Sequence, residues 1–199
     1  MKRISGIKDI FGTKSSQTWP DVRWIETNAA LPKLSSKSKI DVNEKDELAF
    51  LQYTSGSTSE PKGVMLTHGN LSHNITTIVK SLKADTKTVV VSWLPQYHDM
   101  GLIGSYLSLI YCGGSGVYMS PISFIRNPPM WIESVSSYKG THLQAPNFAY
   151  ILSARKFKAL AEKKGNIEGF SLSSIKHMFN AAEPVTAGNI YIYYCHKYI

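Results

Sequence analysis

Short apolar runs alternate with longer amphipathic stretches along this chain, and the alternation predicts strands separated by helices. Two β-prone apolar runs, at residues 48–53 and 64–67, lie on either side of a polar loop. A continuously apolar, β-branched run at 88–93 is typical of a strand buried on both faces. Further strands are predicted at 117–119, 141–144 and 175–180, and helices at 71–84, 99–112, 128–138 and 147–163. This order predicts an α/β fold with a mainly parallel sheet and flanking helices.

The polar loop, YTSGSTSEPKGV at residues 53–64, carries groups that suit a phosphate. They are four hydroxyls, two glycines that let N–H groups approach a ligand closely, and one lysine: Thr54, Ser55, Ser57, Thr58, Gly56, Gly63 and Lys62. In a Walker loop Ser or Thr follows the Gly-Lys pair, whereas Gly63 follows Lys62 here, so a kinase-type loop is disfavoured. A plain polar hairpin turn is the alternative, but it explains neither the length nor the Pro-Lys-Gly ending. The loop therefore predicts a nucleotide triphosphate as ligand.

A second motif, WLPQYHDMGLIG at residues 93–104, places a His-Asp pair before a glycine-spaced apolar helix. His98 can hydrogen-bond a carboxylate or phosphate, while Asp99 can cap the helix and orient the imidazole. A capped helix with a satisfied histidine is the structural alternative, and these residues alone leave it open. No G-x-S-x-G elbow supports a Ser-His-Asp hydrolase. No paired ligand spacing around His98 or His142 indicates a metal site.

A third motif, NAAEPV at residues 180–185, follows the last predicted strand. Six residues alone are weak evidence for a function, and the position of the motif after a strand makes that evidence stronger. All three motifs follow a predicted strand, and ligands of parallel sheets gather at the carboxyl ends of strands. We therefore expect the three motifs to converge on one cleft.

Composition and charge limit the classes of function that this chain can have. The 199 residues are 43% hydrophobic and 18% charged, as in an ordinary soluble domain, and the net charge of +8 comes from 22 Lys and Arg against 14 Asp and Glu. Because the lysines are scattered and no nucleic-acid module is recognisable, we expect a solvated basic surface that suits ATP or an acidic carrier protein, and no nucleic-acid partner. Cys112 and Cys195 lack CxxC spacing, so neither a disulfide framework nor a metal knuckle is predicted. No run reaches membrane-spanning length, and a cytoplasmic location is expected.

The motifs resemble those of the adenylate-forming superfamily, which includes acyl-CoA synthetases, luciferases and peptide-synthetase adenylation domains. The loop at 53–64 resembles its phosphate-binding signature. LPQYHDMGLIG at 94–104 and KGTHLQAPNFAY at 139–150 resemble the fatty acyl-AMP ligase branch. NAAEPV resembles the adenine-side turn, where glycine commonly stands in place of Ala181. The alanine would weaken nucleotide binding if that position needs a positive φ.

The resemblance implies ATP-dependent activation of a fatty acid to an acyl-adenylate, with Mg²⁺, for transfer to an acyl carrier protein or polyketide synthase. It implies that the β- and γ-phosphates are held by Thr54, Ser55, Gly56, Ser57, Thr58, Lys62 and Gly63. His98 would lie at the junction of carboxylate and phosphate, so that His98 and Lys62 are the implied catalytic residues. Ala182, Glu183 and Pro184 would lie beside adenine. Phe148 and Tyr150 would line the lipid channel, with a plain core role as the alternative.

The resemblance covers roughly residues 46–185, with fainter continuity back to Trp19. We expect residues 1–45 to be a lead-in segment with linker character and residues 46–199 to be part of an AMP-binding domain. In the family, the ribose-binding aspartate, the magnesium-binding acid and the small C-terminal domain lie beyond the adenine turn, so we expect impaired chemistry from this chain alone. Two alternatives stay open: a long-chain acyl-CoA ligase, and a non-catalytic fragment that binds a nucleotide or an acyl chain.

Overall fold

The computed structural model describes residues 42–54, 62–165 and 169–185. The predictions for residues 1–41, for loop residues 55–61 and for residues 186–199 therefore lie outside the described residues. Within the described part of the chain, two sheets are formed, one antiparallel and one parallel. No helix among these residues is long and apolar enough to cross a membrane.

The first two strands pair only with each other. Strands β1 (Leu48–Thr54) and β2 (Lys62–Thr67) form an antiparallel hairpin in which Thr54 lies opposite Lys62. Both strands were predicted from their apolar runs. Their pairing means that the polar loop is the turn of a hairpin, and does not follow a strand of the parallel sheet as we had expected. Only the second and third motifs follow strands of that sheet.

Helix α1 (His68–Ser81) follows β2 directly and begins three residues before its predicted start. Its N-cap is Thr67, whose hydroxyl accepts a hydrogen bond from Asn70 N at 3.2 Å. The Asn70 side chain in turn accepts from Thr67 N at 3.1 Å, which completes a capping box. The cap fixes the direction in which the chain leaves the hairpin.

The second sheet has the strand order β4-β3-β5-β6, and every neighbouring pair is parallel. Its strands are β3 (Val89–Ser92), β4 (Ser115–Tyr118), β5 (His142–Pro146) and β6 (His177–Ala181). Val90, Val91 and Ser92 are all buried, which confirms the prediction of a strand covered on both faces. The parallel sheet confirms the predicted α/β fold.

Helices connect these strands. A π-helix (Met100–Leu107) continues into α2 (Ser108–Cys112), and then follow α3 (Pro121–Arg126), α4 (Pro129–Tyr138) and α5 (Asn147–Lys164). The predicted helix at 99–112 therefore exists, but its first part has the wider π geometry. Helix α3 was not predicted.

An aromatic core covers one face of the parallel sheet. Trp93 stacks on Phe124 with ring centroids 4.1 Å apart, and both rings lie edge-on to Trp131. Trp131 is fully buried and its Nε1 donates to the Val91 carbonyl at 2.9 Å, so the core is also tied to β3 by a hydrogen bond. Burial of large aromatic side chains with a satisfied N–H stabilises this face strongly.

Candidate functional site

The carboxyl edge of the parallel sheet brings the second and third motifs to the start of α5. The second motif follows β3, α5 follows β5, and the third motif spans the end of β6. Since β5 lies between β3 and β6 in the sheet, the beginning of α5 lies between the two motifs. This is the edge at which ligands of parallel sheets bind.

Direct contacts join the third motif to α5. The Glu183 carboxylate accepts a hydrogen bond from the backbone N–H of Phe148. Asn180 Nδ2 donates to Asn147 Oδ1 at 3.0 Å. The turn predicted to lie beside adenine is therefore fixed to the first residues of the helix that carries the predicted acyl-side segment.

The second motif reaches the same place through an aromatic contact. The ring of Trp93, its first residue, lies edge-on to Phe148 with centroids 6.1 Å apart. Phe148 remains 43% exposed, so one side of its ring is accessible at this edge. The structure therefore brings two of the three predicted motifs together around one residue of α5.

His98 and Asp99 form the pair that the sequence predicted. His98 Nδ1 lies 2.7 Å from Asp99 Oδ1, and Asp99 Oδ1 accepts from Met100 N at 2.6 Å. Asp99 thus orients the imidazole and caps the π-helix at once. The two side chains are 60% and 63% exposed, so a ligand can reach them. Because Nδ1 faces Asp99, Nε2 is the ring atom that can meet a carboxylate or phosphate.

The structure describes only the two ends of the loop that is predicted to bind phosphate. Thr54 ends β1, and Lys62 and Gly63 begin β2 with the Lys62 side chain exposed. A Cβ on Gly63 would lie 3.2 Å from Tyr53 Cζ, so the lack of a side chain permits a tight strand pairing. Ser55, Gly56, Ser57 and Thr58 lie outside the described residues, and their convergence with the other motifs stays a prediction.

The strained residue of the third motif is Ala182. Its φ is +70°, in the left-handed region, whereas Ala181 is the last residue of β6. The condition that we attached to Ala181, a need for positive φ, is therefore not met there. Alanine adopts the extended backbone of a strand without strain, so the cost of a positive φ is at Ala182 and not at Ala181. Glu183 and Pro184 follow with exposed side chains, at the edge where the prediction placed them.

Tyr150 is a core residue, and its predicted place in a lipid channel is wrong. It is 3% exposed, its ring lies 5.4 Å from Trp131, and its hydroxyl donates to the Phe179 carbonyl at 2.9 Å. Burial raises the pKa of this phenol above its ordinary value. Phe148 stays a candidate for contact with an acyl chain.

Two buried polar residues on β5 were not assigned a role from the sequence. His142 Nε2 lies 2.9 Å from the Leu82 carbonyl and its Nδ1 lies 2.8 Å from Thr141 Oγ1. Burial lowers the pKa of His142, and the hydrogen bond to the Leu82 carbonyl opposes part of that shift. Gln144 Nε2 donates to the Gly104 carbonyl at 2.8 Å. The sequence signal for a role of these two residues was that they are polar side chains within an otherwise apolar strand.

The described residues contain no group of three or more His, Cys, Asp or Glu side chains that could hold a metal ion. The Mg²⁺ that the resemblance implies therefore has no ligand cluster of this kind among the described residues.

Comparison with known proteins gives a consistent result. The family model described as AMP-binding enzyme matches residues 7–191. The medium-chain-fatty-acid–[acyl-carrier-protein] ligase JamA of Moorena producens is 40% identical over 184 residues, which is 92% of this chain and 30% of the relative. TtuA of Teredinibacter turnerae, a ligase of the same description, is 43% identical over 145 residues, which is 73% of this chain and 22% of the relative.

A solved structure agrees with these relatives. The fatty acyl-adenylate ligase from L. pneumophila, in complex with acyl adenylate and pyrophosphate, superimposes with a TM-score of 0.71 at 43% identity. The superposition covers 79% of this chain and 27% of that one. The chain thus spans less than a third of the length of these relatives.

Proposed function

The chain belongs to the AMP-binding enzyme family, and from that premise we propose that it forms part of a site that converts a fatty acid into its acyl-adenylate with ATP. The observation that carries the proposal is the contact between the Glu183 carboxylate and the Phe148 N–H. It joins the turn proposed for adenine to the helix proposed for the acyl group. A site that makes an acyl-adenylate must bind both groups of one molecule, in which the ribose and the α-phosphate connect the adenine to the acyl group.

The proposed reaction is a displacement at phosphorus. A carboxylate oxygen of the fatty acid forms a bond to the α-phosphorus of ATP, the bond from that phosphorus to the oxygen bridging to the β-phosphorus breaks, and pyrophosphate leaves with the electron pair. No enzyme nucleophile is needed, so catalysis rests on positioning and on stabilisation of charge.

Different residues are proposed to bind the phosphates, the carboxylate and the adenine. Lys62 and the loop residues Thr54, Ser55, Gly56, Ser57, Thr58 and Gly63 are proposed to hold the β- and γ-phosphates. His98, held by Asp99 at 2.7 Å, is proposed to direct Nε2 to the carboxylate and the α-phosphate. Ala182, Glu183 and Pro184 are proposed to hold the adenine.

The acceptor of the acyl group is part of the proposal. JamA and TtuA are described as ligases that act with an acyl carrier protein. We propose the same class of acceptor, alone or within a polyketide synthase, with Mg²⁺ accompanying ATP and a cytoplasmic location. The net charge of +8 suits an acidic carrier protein.

Mass spectrometry of the purified chain tests the proposal. The chain is incubated with ATP, Mg²⁺ and a fatty acid, with and without coenzyme A, and acyl-AMP is measured. A low yield of acyl-AMP that coenzyme A does not consume is the expected result, since this chain spans less than a third of its relatives. His98→Ala should lower that yield further, and Tyr97→Ala, which changes an exposed neighbour, serves as the control. Conversion to acyl-CoA would instead identify an acyl-CoA ligase. No acyl-AMP from a folded chain that binds ATP would refute catalysis by this chain and leave a binding module.

A further inference from the structure

Helix α5 has one side against the aromatic core and the other side in solvent. Ala149 and Tyr150 belong to the aromatic core, and both are almost completely buried. From its third turn onwards the helix carries exposed basic residues on the outer side, which are Arg155, Lys156, Lys158 and Lys163. We call these four residues the basic face of α5.

The positive charge of this face is not neutralised locally. Among the residues that the structure describes, none of its four side chains forms an ion pair with a carboxylate. Glu162 is the one acidic residue in the sequence between positions 155 and 163. A row of cations with so little compensation produces a positive potential along the helix surface.

The basic face begins close to the proposed site. Phe148, which is 43% exposed at the carboxyl edge of the sheet, lies in the first turn of the same helix. At the rise of an α-helix, Arg155 lies about 10 Å and Lys163 about 22 Å along the axis from Phe148. At about 100° per residue, all four basic residues lie within about 80° of Phe148 around the axis. The exposed ring and the basic face therefore share one outer side of the helix, which leads away from the site.

We propose that the basic face of α5 is a docking surface for an acidic acyl carrier protein. The inference rests on the proposed function, in which an acyl group formed at the carboxyl edge of the sheet is transferred to such a carrier. Exposed cations without acidic partners attract an acidic protein surface and increase its rate of association. A carrier bound along this face lies beside the edge at which Phe148 is exposed, which keeps the path of its acceptor group to the acyl group short.

An anionic membrane fits this face less well than an acidic protein does. Helices that lie on a membrane bury an apolar side in the lipid. The apolar side of α5 instead packs in the aromatic core, where Ala149 and Tyr150 contribute to it. The outer side of the helix therefore offers charge for the surface of a partner, without the apolar area that insertion into lipid requires.

Binding of a purified bacterial acyl carrier protein with a fluorescent label tests the proposal. Its dissociation constant with the full chain is measured by anisotropy at low ionic strength. In the double variant Arg155→Glu and Lys156→Glu, two attractions become repulsions, so binding should weaken roughly tenfold or more. At about 0.5 M salt the difference from the wild type should become small, because salt screens exposed charges.

A control double variant changes the net charge by the same amount elsewhere. Lys80→Glu and Lys87→Glu alter two exposed lysines, one in the last turn of α1 and one just before β3. Both are near the amino end of the sheet, where the Leu82 carbonyl contacts His142 at the start of β5. This control should bind the carrier like the wild type. Circular dichroism checks that each variant is folded.

A milder pair keeps the test valid if the charge reversal on α5 prevents folding. Arg155→Gln and Lys156→Gln remove the charges, keep the helix propensity and should weaken binding roughly threefold. Equal weakening in the α5 and control variants would overturn the proposal, because net charge alone would then determine binding. A wild-type chain that binds vesicles of anionic phospholipid through Arg155 and Lys156, and no carrier, would also overturn it.

The failure of this inference is distinguishable from the failure of the proposed function. Binding of ATP and of a fatty acid to the wild type is measured by calorimetry in the same buffer. A chain that binds both but not the carrier would overturn the docking surface alone. A chain that binds neither ATP nor the fatty acid would overturn the proposed function as well.

Discussion

Glu183 acts as the cap of helix α5, since it accepts from the N–H of Phe148, which lies 35 residues earlier in the chain. Helix α5 follows Pro146, which makes no side-chain capping hydrogen bond. The Glu183 carboxylate instead accepts from the N–H of Phe148 in the first turn. A negative charge at this position also meets the positive end of the helix dipole. Glu183→Ala removes the hydrogen bond and the charge, whereas Glu183→Gln removes the charge alone.

The two substitutions should differ in cost. Loss of a side-chain cap costs about 0.5–2 kcal/mol, and a charge at an exposed helix end contributes about 0.3–1 kcal/mol. Glu183 is exposed, so solvent screens its charge. We therefore expect a loss of about 1 kcal/mol in the free energy of unfolding for Glu183→Ala, and about half of that for Glu183→Gln.

Urea unfolding followed by circular dichroism measures these costs. Glu162→Ala, which removes an exposed carboxylate later in the same helix, is the control and should change stability by less than about 0.5 kcal/mol. The slope of the free energy against urea should be the same in all variants. If Glu183→Ala is as stable as the Glu162→Ala control, the carboxylate does not cap α5, and the Asn180–Asn147 hydrogen bond is left as the contact between the third motif and the start of the helix.

Three further predictions concern the loop, the buried histidine and the turn. Lys62→Ala should weaken ATP binding about tenfold to a hundredfold, because a charge-assisted contact is lost, while calorimetry of Lys158→Ala on α5 should show no change. Burial lowers the pKa of His142, so the unfolded chain takes up the proton first, and stability in urea should fall as pH drops below about 6.5. His142→Gln should flatten that profile, and an equal slope in both proteins would contradict the role of burial. Ala182→Gly should gain up to about 1 kcal/mol by relieving its positive φ, whereas Ala181→Gly in β6 should lose about 0.5–1 kcal/mol; equal effects would contradict the assigned strain.

Local signals explain which parts of the fold could be predicted. The apolar run around Val91 has the length and composition of a buried strand, and the structure places it at the centre of the sheet. The start of α1 depends on Thr67 and Asn70, which lie three residues apart and cap each other. The His98–Asp99 pair is also local, since the two residues are adjacent. These features need no knowledge of distant parts of the chain.

Pairing between distant segments could not be predicted in the same way. Nothing local to β1 or β2 decides between pairing with each other and joining the parallel sheet, because partner choice depends on the packing of the whole domain. The Gln144 contact with Gly104 spans 40 residues, and the hydrophobic period does not reveal the π geometry of the helix that carries Gly104.

The wrong prediction for Tyr150 and the unforeseen positive φ of Ala182 each have a physical explanation. Phe148 and Tyr150 are two positions apart on α5, which places them about 200° apart around a helix. They could not both have lined one channel, and helical geometry alone would have separated the exposed ring from the core ring. The positive φ of Ala182 had no sequence signal, because neither alanine of the motif is a glycine.

Calorimetric titration with a stable acyl-adenylate analogue, an acyl sulfamate of adenosine, tests most directly whether the second and third motifs form one site. Adenosine and the free fatty acid are titrated separately for comparison. The analogue contains both parts, so it should bind more tightly than adenosine alone and more tightly than the fatty acid alone. Glu183→Ala should remove much of this gain in affinity. An analogue that binds no better than the fatty acid alone would show that the adenine-side turn and the acyl-side helix do not act together.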